Sequence, residues 1–238
     1  IKWLEGRSDD DGAEGLWRIH DNLYDLTNFI KTHPGGRDWI ELTKGTDITE
    51  AFESHHLSDK AEQLLPKYYV RKARTKRNFP WTFHEDGFYK SLKRNIVKEL
   101  ERLPQKSITK SKVLTDSLMV FYFSLFLISV YFKSFLCGIL SGLCLGLLTV
   151  AAHNYFHQKD NFRRFYFDFS MMCSREWRIS HVLSHHMYTN TISDLEVSTV
   201  EPFFQYLPGE KTFMVKYVSW IYGPLVYALL FIGSYLKT

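Results

Sequence analysis

The chain is poor in cysteine and has no internal repeat and no low-complexity tract. Its 238 residues hold three cysteines. With no CxxC pair among them, a disulfide framework is excluded and a reducing compartment is the expected setting. Cys137 and Cys144 fall in an apolar run and Cys173 beside a Met pair, where small apolar packing is the expected role. No basic-then-apolar stretch opens the sequence, so a secretory leader is not expected. The first residue is Ile rather than Met, which leads us to expect a processed chain or a fragment. HExxH, the helix motif of zinc proteases, is also missing.

Charge is distributed unevenly. Residues 1–112 are polar and charged, whereas residues 113–152 are almost wholly apolar. The net charge is +4, and much of the positive charge lies between Arg71 and Lys112. Nucleic-acid binding would not account for the apolar run that follows, so no nucleic-acid partner is expected. Basic residues just before a hydrophobic run fit the cytoplasmic flank of a membrane helix.

The pattern predicts a loose segment over 1–12, a compact soluble domain over 13–77, a basic and partly helical linker over 78–112, and a membrane domain over 113–238. In the compact domain, short apolar stretches at Leu16–Ile19 and Leu23–Leu26 lead to a Pro-Gly-Gly turn. Helical segments are expected at Asp38–Thr43, Thr49–His55 and Asp59–Leu65. Thr46 or Asp47 is a candidate cap for the second and Ser58 for the third. The expected spans are about 113–132, 134–152 and 213–236, the last broken at Gly223-Pro224. Each is long enough to cross a hydrocarbon core of ~30 Å. Gly138, Gly142 and Gly146, four residues apart, form a stripe that would let the first two spans approach closely. A hairpin there returns the chain to the cytoplasmic side at His153, so both chemically interesting regions are expected to face one compartment.

The first constellation is His33 with a second histidine at 55 or 56. In His33-Pro34-Gly35-Gly36, Pro34 fixes the turn and the glycines let backbone approach a large flat ligand. Two neutral imidazoles facing each other can fill both axial positions of a haem iron, which leaves one-electron transfer as the available chemistry. Leu26, Phe29, Ile30, Trp39, Ile40, Leu42, Phe52, Leu64 and Leu65 are expected to form a core and line the slot. Tyr24-Asp25-Leu26-Thr27 with Phe29, the His33 turn, Gly45-Thr46-Asp47-Ile48-Thr49 with Phe52, and Tyr68-Tyr69-Val70 together resemble the cytochrome b5 family over about residues 14–72. The resemblance implies an α+β haem-binding fold, haem b as cofactor and His33 as one axial ligand. Free-standing members place the second ligand five residues after the matched Phe, here Leu57. Members fused to desaturases place it four after, so the resemblance implies His56 rather than His55.

The second constellation is His153-Asn-Tyr-Phe-His157 followed by His181-Val-Leu-Ser-His185-His186. Histidines at i and i+4 share a helix face and can grip one metal ion, and imidazole suits iron, zinc or copper. Trp177-Arg178-Ile-Ser-His181 through Asn190, followed by Asp194 and Glu196, resembles the second histidine box of the membrane fatty acid desaturases. That superfamily holds a non-haem diiron centre with three such boxes. The order of the two halves is similar to that of front-end desaturases and of the insect cytochrome b5-related proteins. No histidine follows His186, so the third box is missing and the expected diiron site is incomplete in this chain.

The resemblance implies an all-α, multi-span membrane domain of the endoplasmic reticulum, with its histidines facing the cytoplasm. It implies a fatty acyl substrate, O₂ and an electron-donating reductase as partners, and desaturation as the reaction. Acyl hydroxylation by the same metal, or a membrane-anchored haem carrier without catalysis, are the alternative readings. No catalytic side chain beyond the metal ligands is assigned.

Overall fold

The computed structural model describes residues 2–79, 81–103 and 106–237. The chain divides into two compact units, residues 1–104 and 105–238.

The first unit carries helix α1 (Lys2–Asp10), strands β1 (Trp17–Ile19) and β2 (Asn22–Tyr24), helices α2 (Arg37–Leu42), α3 (Thr49–His55) and α4 (Lys60–Leu64), strand β3 (Tyr69–Lys72) and helix α5 (Phe88–Glu101). The strands form one antiparallel sheet in the order β1-β2-β3, with Trp17 opposite Tyr24 and Leu23 opposite Arg71. The core is a cluster of Trp17, Ile19, Tyr24, Leu26, Ile40, Ile48 and Phe52, with Phe29, Ile30, Leu65 and Tyr68 packed against it. Burial of each such side chain contributes about 1.5–3 kcal/mol. The Trp17 indole also donates to the Ile40 carbonyl at 2.8 Å, which ties β1 to the end of α2. Leu64, expected among these residues, is exposed instead.

Residues 2–10 are helical rather than loose. Arg7 is buried, pairs with Asp11 at 2.7 Å and donates to the Asp47 carbonyl at 3.0 Å. Asp11 in turn accepts the Asp47 N–H at 2.8 Å. A buried ion pair hydrogen-bonded to the Asp47 main chain holds the segment down, and composition alone does not reveal it. The expected caps are only partly realised. Asp47 accepts the Thr49 N–H at 2.9 Å, within the first turn of α3, whereas the residue preceding α4 is Asp59, with no side-chain cap. The basic stretch after residue 77 belongs to the first unit through Arg77, which pairs with Asp47 at 2.7 Å and with Glu50.

The second unit begins with helix α6 (Lys106–Phe132) and helix α7 (Phe135–His153), packed as a hairpin. α6 starts earlier than the apolar run, since a helix need not stop where its sequence turns polar. Asp116, the sole acidic residue in 113–152, is held by Arg163 (2.8 and 2.5 Å) and by the Tyr166 hydroxyl at 3.1 Å. The glycine stripe is only partly used. A Cβ at Gly138 would lie 3.1 Å from Ser129 Oγ on α6, whereas the same atom at Gly142 or Gly146 meets nothing within 4 Å. Helix contact is carried further along by Ser141, whose hydroxyl donates to the Tyr122 carbonyl at 3.2 Å.

Beyond the hairpin the chain forms short helical pieces and then a long helix, Ser219–Lys237, preceded by a π-helical turn at Met214–Val218. The expected break at Gly223-Pro224 does not occur: Pro224 lies inside the helix. Proline removes one N–H from the ladder, and the bonds on either side of it carry the helix on.

Candidate functional site

Two groups of histidines stand out, one in each unit. In the first, the His33-Pro-Gly-Gly turn leads into α2, and His56 closes α3. The two rings lie 6.1 Å apart, centroid to centroid. Two imidazoles on opposite sides of one ion, each through a bond of about 2 Å, would have centroids about 6 Å apart. Each ring is oriented by main chain: His33 Nδ1 meets the Gly36 carbonyl at 2.8 Å and His56 Nδ1 meets the Phe52 carbonyl at 2.9 Å. With Nδ1–H donated, each Nε2 keeps its lone pair free for a metal. Burial pushes the His56 imidazole below its ordinary range, with His33 and His55 adding to the effect, so it stays neutral.

Phe29 and Phe52, from the core, pack on His33 and His56 at 5.7 and 4.8 Å. Gly35 is required here, because a Cβ would fall 2.8 Å from His33 Cε1. His55 takes another direction. It is exposed, hydrogen-bonded to the Ala51 carbonyl and packed on Trp39 at 4.9 Å. The residues present thus fit a haem held between His33 and His56.

The second group is built where α7 ends. His153 is its last residue, and His157 follows on a 3₁₀ turn. His181 and His186 come from a π-helix, Arg178–His185, and the residue that caps it. The His186 N–H bonds the His181 carbonyl five residues back. One wide turn therefore superimposes residues five apart, where an α-helix would superimpose His181 and His185. The i, i+4 pairing expected for this segment is replaced by an i, i+5 pairing.

Four Nε2 atoms converge as a result. His153 meets His181 at 2.6 Å, His157 meets His153 at 3.3 Å, and His186 meets His181 at 3.0 Å. Bonds of about 2 Å to one ion, at right angles, would place two nitrogens about 3 Å apart. The donor atoms of His153, His157 and His181 all lie within 4.8 Å of one another. Imidazole nitrogens this close cannot all be satisfied by one another's protons, whereas a cation takes the lone pairs of His153, His157 and His181 together. Burial and the neighbouring rings of His181 and His185 hold His186 below its ordinary range, in the neutral form a metal needs.

Behind these rings stand two carboxylates whose positions, but not roles, are visible in the sequence. Glu196 meets His181 Nδ1 at 2.5 Å and Asp194 meets His185 Nδ1 at 2.9 Å. Burial on its own would raise the Asp194 carboxyl. The N–H groups of Asn190 and Val197 and the His185 ring outweigh it and keep the group below its ordinary range, ionised. Carboxylate–histidine pairs of this kind fix the tautomer and orientation of a metal ligand. His185 itself stands beside the four, with centroids 5.7 Å from His181 and 5.4 Å from His186. Trp177 stacks on His181 at 5.0 Å, and buried Arg178 pairs with Asp160 at 2.8 Å, bracing the π-helix.

Comparison with known proteins matches residues 3–74 to the cytochrome b5-like heme/steroid binding domain and residues 129–237 to the fatty acid desaturase family. The chain is 44% identical, over 96% of its length, to the cytochrome b5-related protein of Drosophila melanogaster, of which it covers 53%. It is 51% identical, over 48% of its length, to the cytochrome b5-related protein of Drosophila virilis, of which it covers 80%. The probable Delta(5) fatty acid desaturase C of Dictyostelium discoideum is 26% identical over 95% of the chain, which covers 54% of it. The chain thus spans about half the length of the Drosophila melanogaster and Dictyostelium relatives. A facing histidine pair in a small α+β unit, followed by a helical unit with a histidine cluster, and likeness of this extent place the chain in the cytochrome b5-related protein family, a cytochrome b5-like domain fused to a fatty acid desaturase-like domain.

Proposed function

We propose that the chain belongs to a membrane-bound oxidoreductase that receives electrons at a haem b held by His33 and His56 and uses them at non-haem iron held in part by His153, His157, His181, His185 and His186, to desaturate a fatty acyl chain. The convergence of four imidazole Nε2 atoms, with contacts of 2.6–3.3 Å, carries this reading. Bound iron would supply one-electron transfer in the first unit and O₂ activation in the second. The chain's own residues supply positioning. Gly36 and Phe52 carbonyls orient the haem pair, while Glu196 and Asp194 hold Nδ1 protons on His181 and His185.

The membrane setting is supported by α6 and α7, each long and apolar enough to cross a bilayer. Val120, Phe121, Leu127 and Val130 on α6 and Leu143 and Val150 on α7 are each at least 60% exposed, as lipid-facing residues would be. A hairpin brings the histidine-bearing end of α7 back to the side on which α6 begins. The basic residues before α6 favour the cytoplasmic side for that end, and the endoplasmic reticulum is the membrane proposed. The substrate class is that of the Delta(5) fatty acid desaturase relatives, with O₂ and an electron-donating reductase as further partners.

The test is haem absorption together with non-haem iron content of the purified chain. His33→Ala and His56→Ala are expected to abolish the low-spin haem spectrum, while His55→Ala preserves it. His181→Ala is expected to keep the haem and lose the non-haem iron. Wild-type chain that binds haem but no other iron, even when supplied with ferrous ion, would reduce the protein to an electron carrier and overturn the proposal.

A further inference from the structure

Helix α5 is oriented against the usual rule. An amphipathic helix on a globular unit ordinarily buries its apolar stripe. Here the inward contacts are made by lysines. Lys90, 9% exposed, pairs with Glu53 at 3.1 Å and Glu62 at 2.8 Å, and Lys93 pairs with Glu53 at 3.3 Å. The apolar stripe faces outward. Phe88 is 82% exposed, Leu92 and Ile96 42% each, and Leu100 44%, at four-residue spacing that keeps them on one side, with Leu103 at 62% just beyond. Arg94 and Lys98 are exposed on the side of the helix away from this stripe. Glu99, within the stripe, is paired with Arg102 at 2.7 Å.

We infer that α5 is an interfacial helix, which lays Phe88, Leu92, Ile96, Leu100 and Leu103 into the surface of a bilayer. The inference rests on the reading of α6 and α7 as membrane spans. α5 ends at Glu101 and α6 begins at Lys106, so the covalent chain holds the stripe close to whatever surface α6 enters. An exposed apolar face matches that surface in polarity. With Lys90 and Lys93 locked to a buried carboxylate on its other side, α5 would dock the haem-type domain rather than merely link it.

The test uses the full chain with Cys137, Cys144 and Cys173 replaced by Ala. Single spin labels are placed through Leu92→Cys, Ile96→Cys or Leu100→Cys on the stripe, Arg94→Cys or Lys98→Cys on the opposite side, and Val120→Cys in α6. Each variant is reconstituted in phosphatidylcholine vesicles containing phosphatidylserine. Labels at 92, 96, 100 and 120 are expected to be relaxed by O₂ several-fold more, relative to a water-soluble nickel chelate, than labels at 94 and 98. Equal nickel access at 92, 96 and 100, with the label at 120 in lipid, would overturn the inference alone. Dipolar broadening between copies at 96 would assign the stripe to a second copy and also overturn it. Nickel access at 120 would remove the membrane reading and the inference with it.

Discussion

Glu53 is 1% exposed, yet it stands among three cationic or protonatable partners, His20 at 2.9 Å, Lys90 at 3.1 Å and Lys93 at 3.3 Å. Burial on its own would raise the carboxyl. Hydrogen bonds from His20 and Lys90 and the charges of both lysines outweigh it and hold the group at about 2, against an ordinary 4.5. A depressed folded value means that the stabilisation is complete above about pH 4.5 and is lost as pH falls towards about 2. Glu53→Gln is therefore expected to destabilise the first unit by about 3 kcal/mol at pH 7. Denaturant unfolding followed with pH should show the gap to wild type closing below about pH 4.5. A gap that stays constant down to pH 2 would contradict the ionic account. At the same scale, His56 and His55 are adjacent in sequence but differ in surroundings. The former faces His33 and the latter rests on Trp39, because α3 ends between them and turns the two rings apart.

Among the elements, the π-helix Arg178–His185 determines which histidines meet. Inserting one Ala after Leu183 would put His186 six residues from His181, beyond what the wide turn aligns, and rotate it away. The expected result is loss of non-haem iron with haem absorption unchanged, read by metal analysis of the purified variant; retained iron would show that the wide turn is not needed. This element also marks where sequence reading stops. The helices at residues 37–64 were legible because turn residues punctuate them: Gly36 before α2, Gly45 before α3 and Pro66 after α4. The first histidine pair was legible for the same reason, since His33 stands in a turn whose Gly35 the ring itself demands. A π turn has no such punctuation. Its cost is set by the packing of Trp177 and Arg178 and by the carboxylates at 194 and 196. Likewise a stripe of glycines says that helices can approach, but Gly138 alone is used because the hairpin turn at Lys133-Ser134 sets the helices closest there. Residues 2–10 read as loose because one buried arginine, rather than a periodic apolar face, anchors α1.

For the whole molecule, two compact units carry two histidine sites of opposite design. The first pairs two rings across a gap, each with Nδ1 on a backbone carbonyl. The second gathers four rings edge to edge, backed by carboxylates. In the proposed reading, iron between the opposed rings would supply electron transfer, whereas iron at the clustered rings would supply O₂ activation. On that reading one chain would hold both a carrier and an oxidising centre. The central claim is that both sites bind iron at once. Mössbauer spectroscopy of the full chain, purified from cells grown on isotopically enriched iron, tests it directly. The account predicts two iron populations, a low-spin haem signal lost in His33→Ala and a separate non-haem signal lost in His181→Ala. A single haem signal in the wild-type chain, unchanged by His181→Ala, would contradict it.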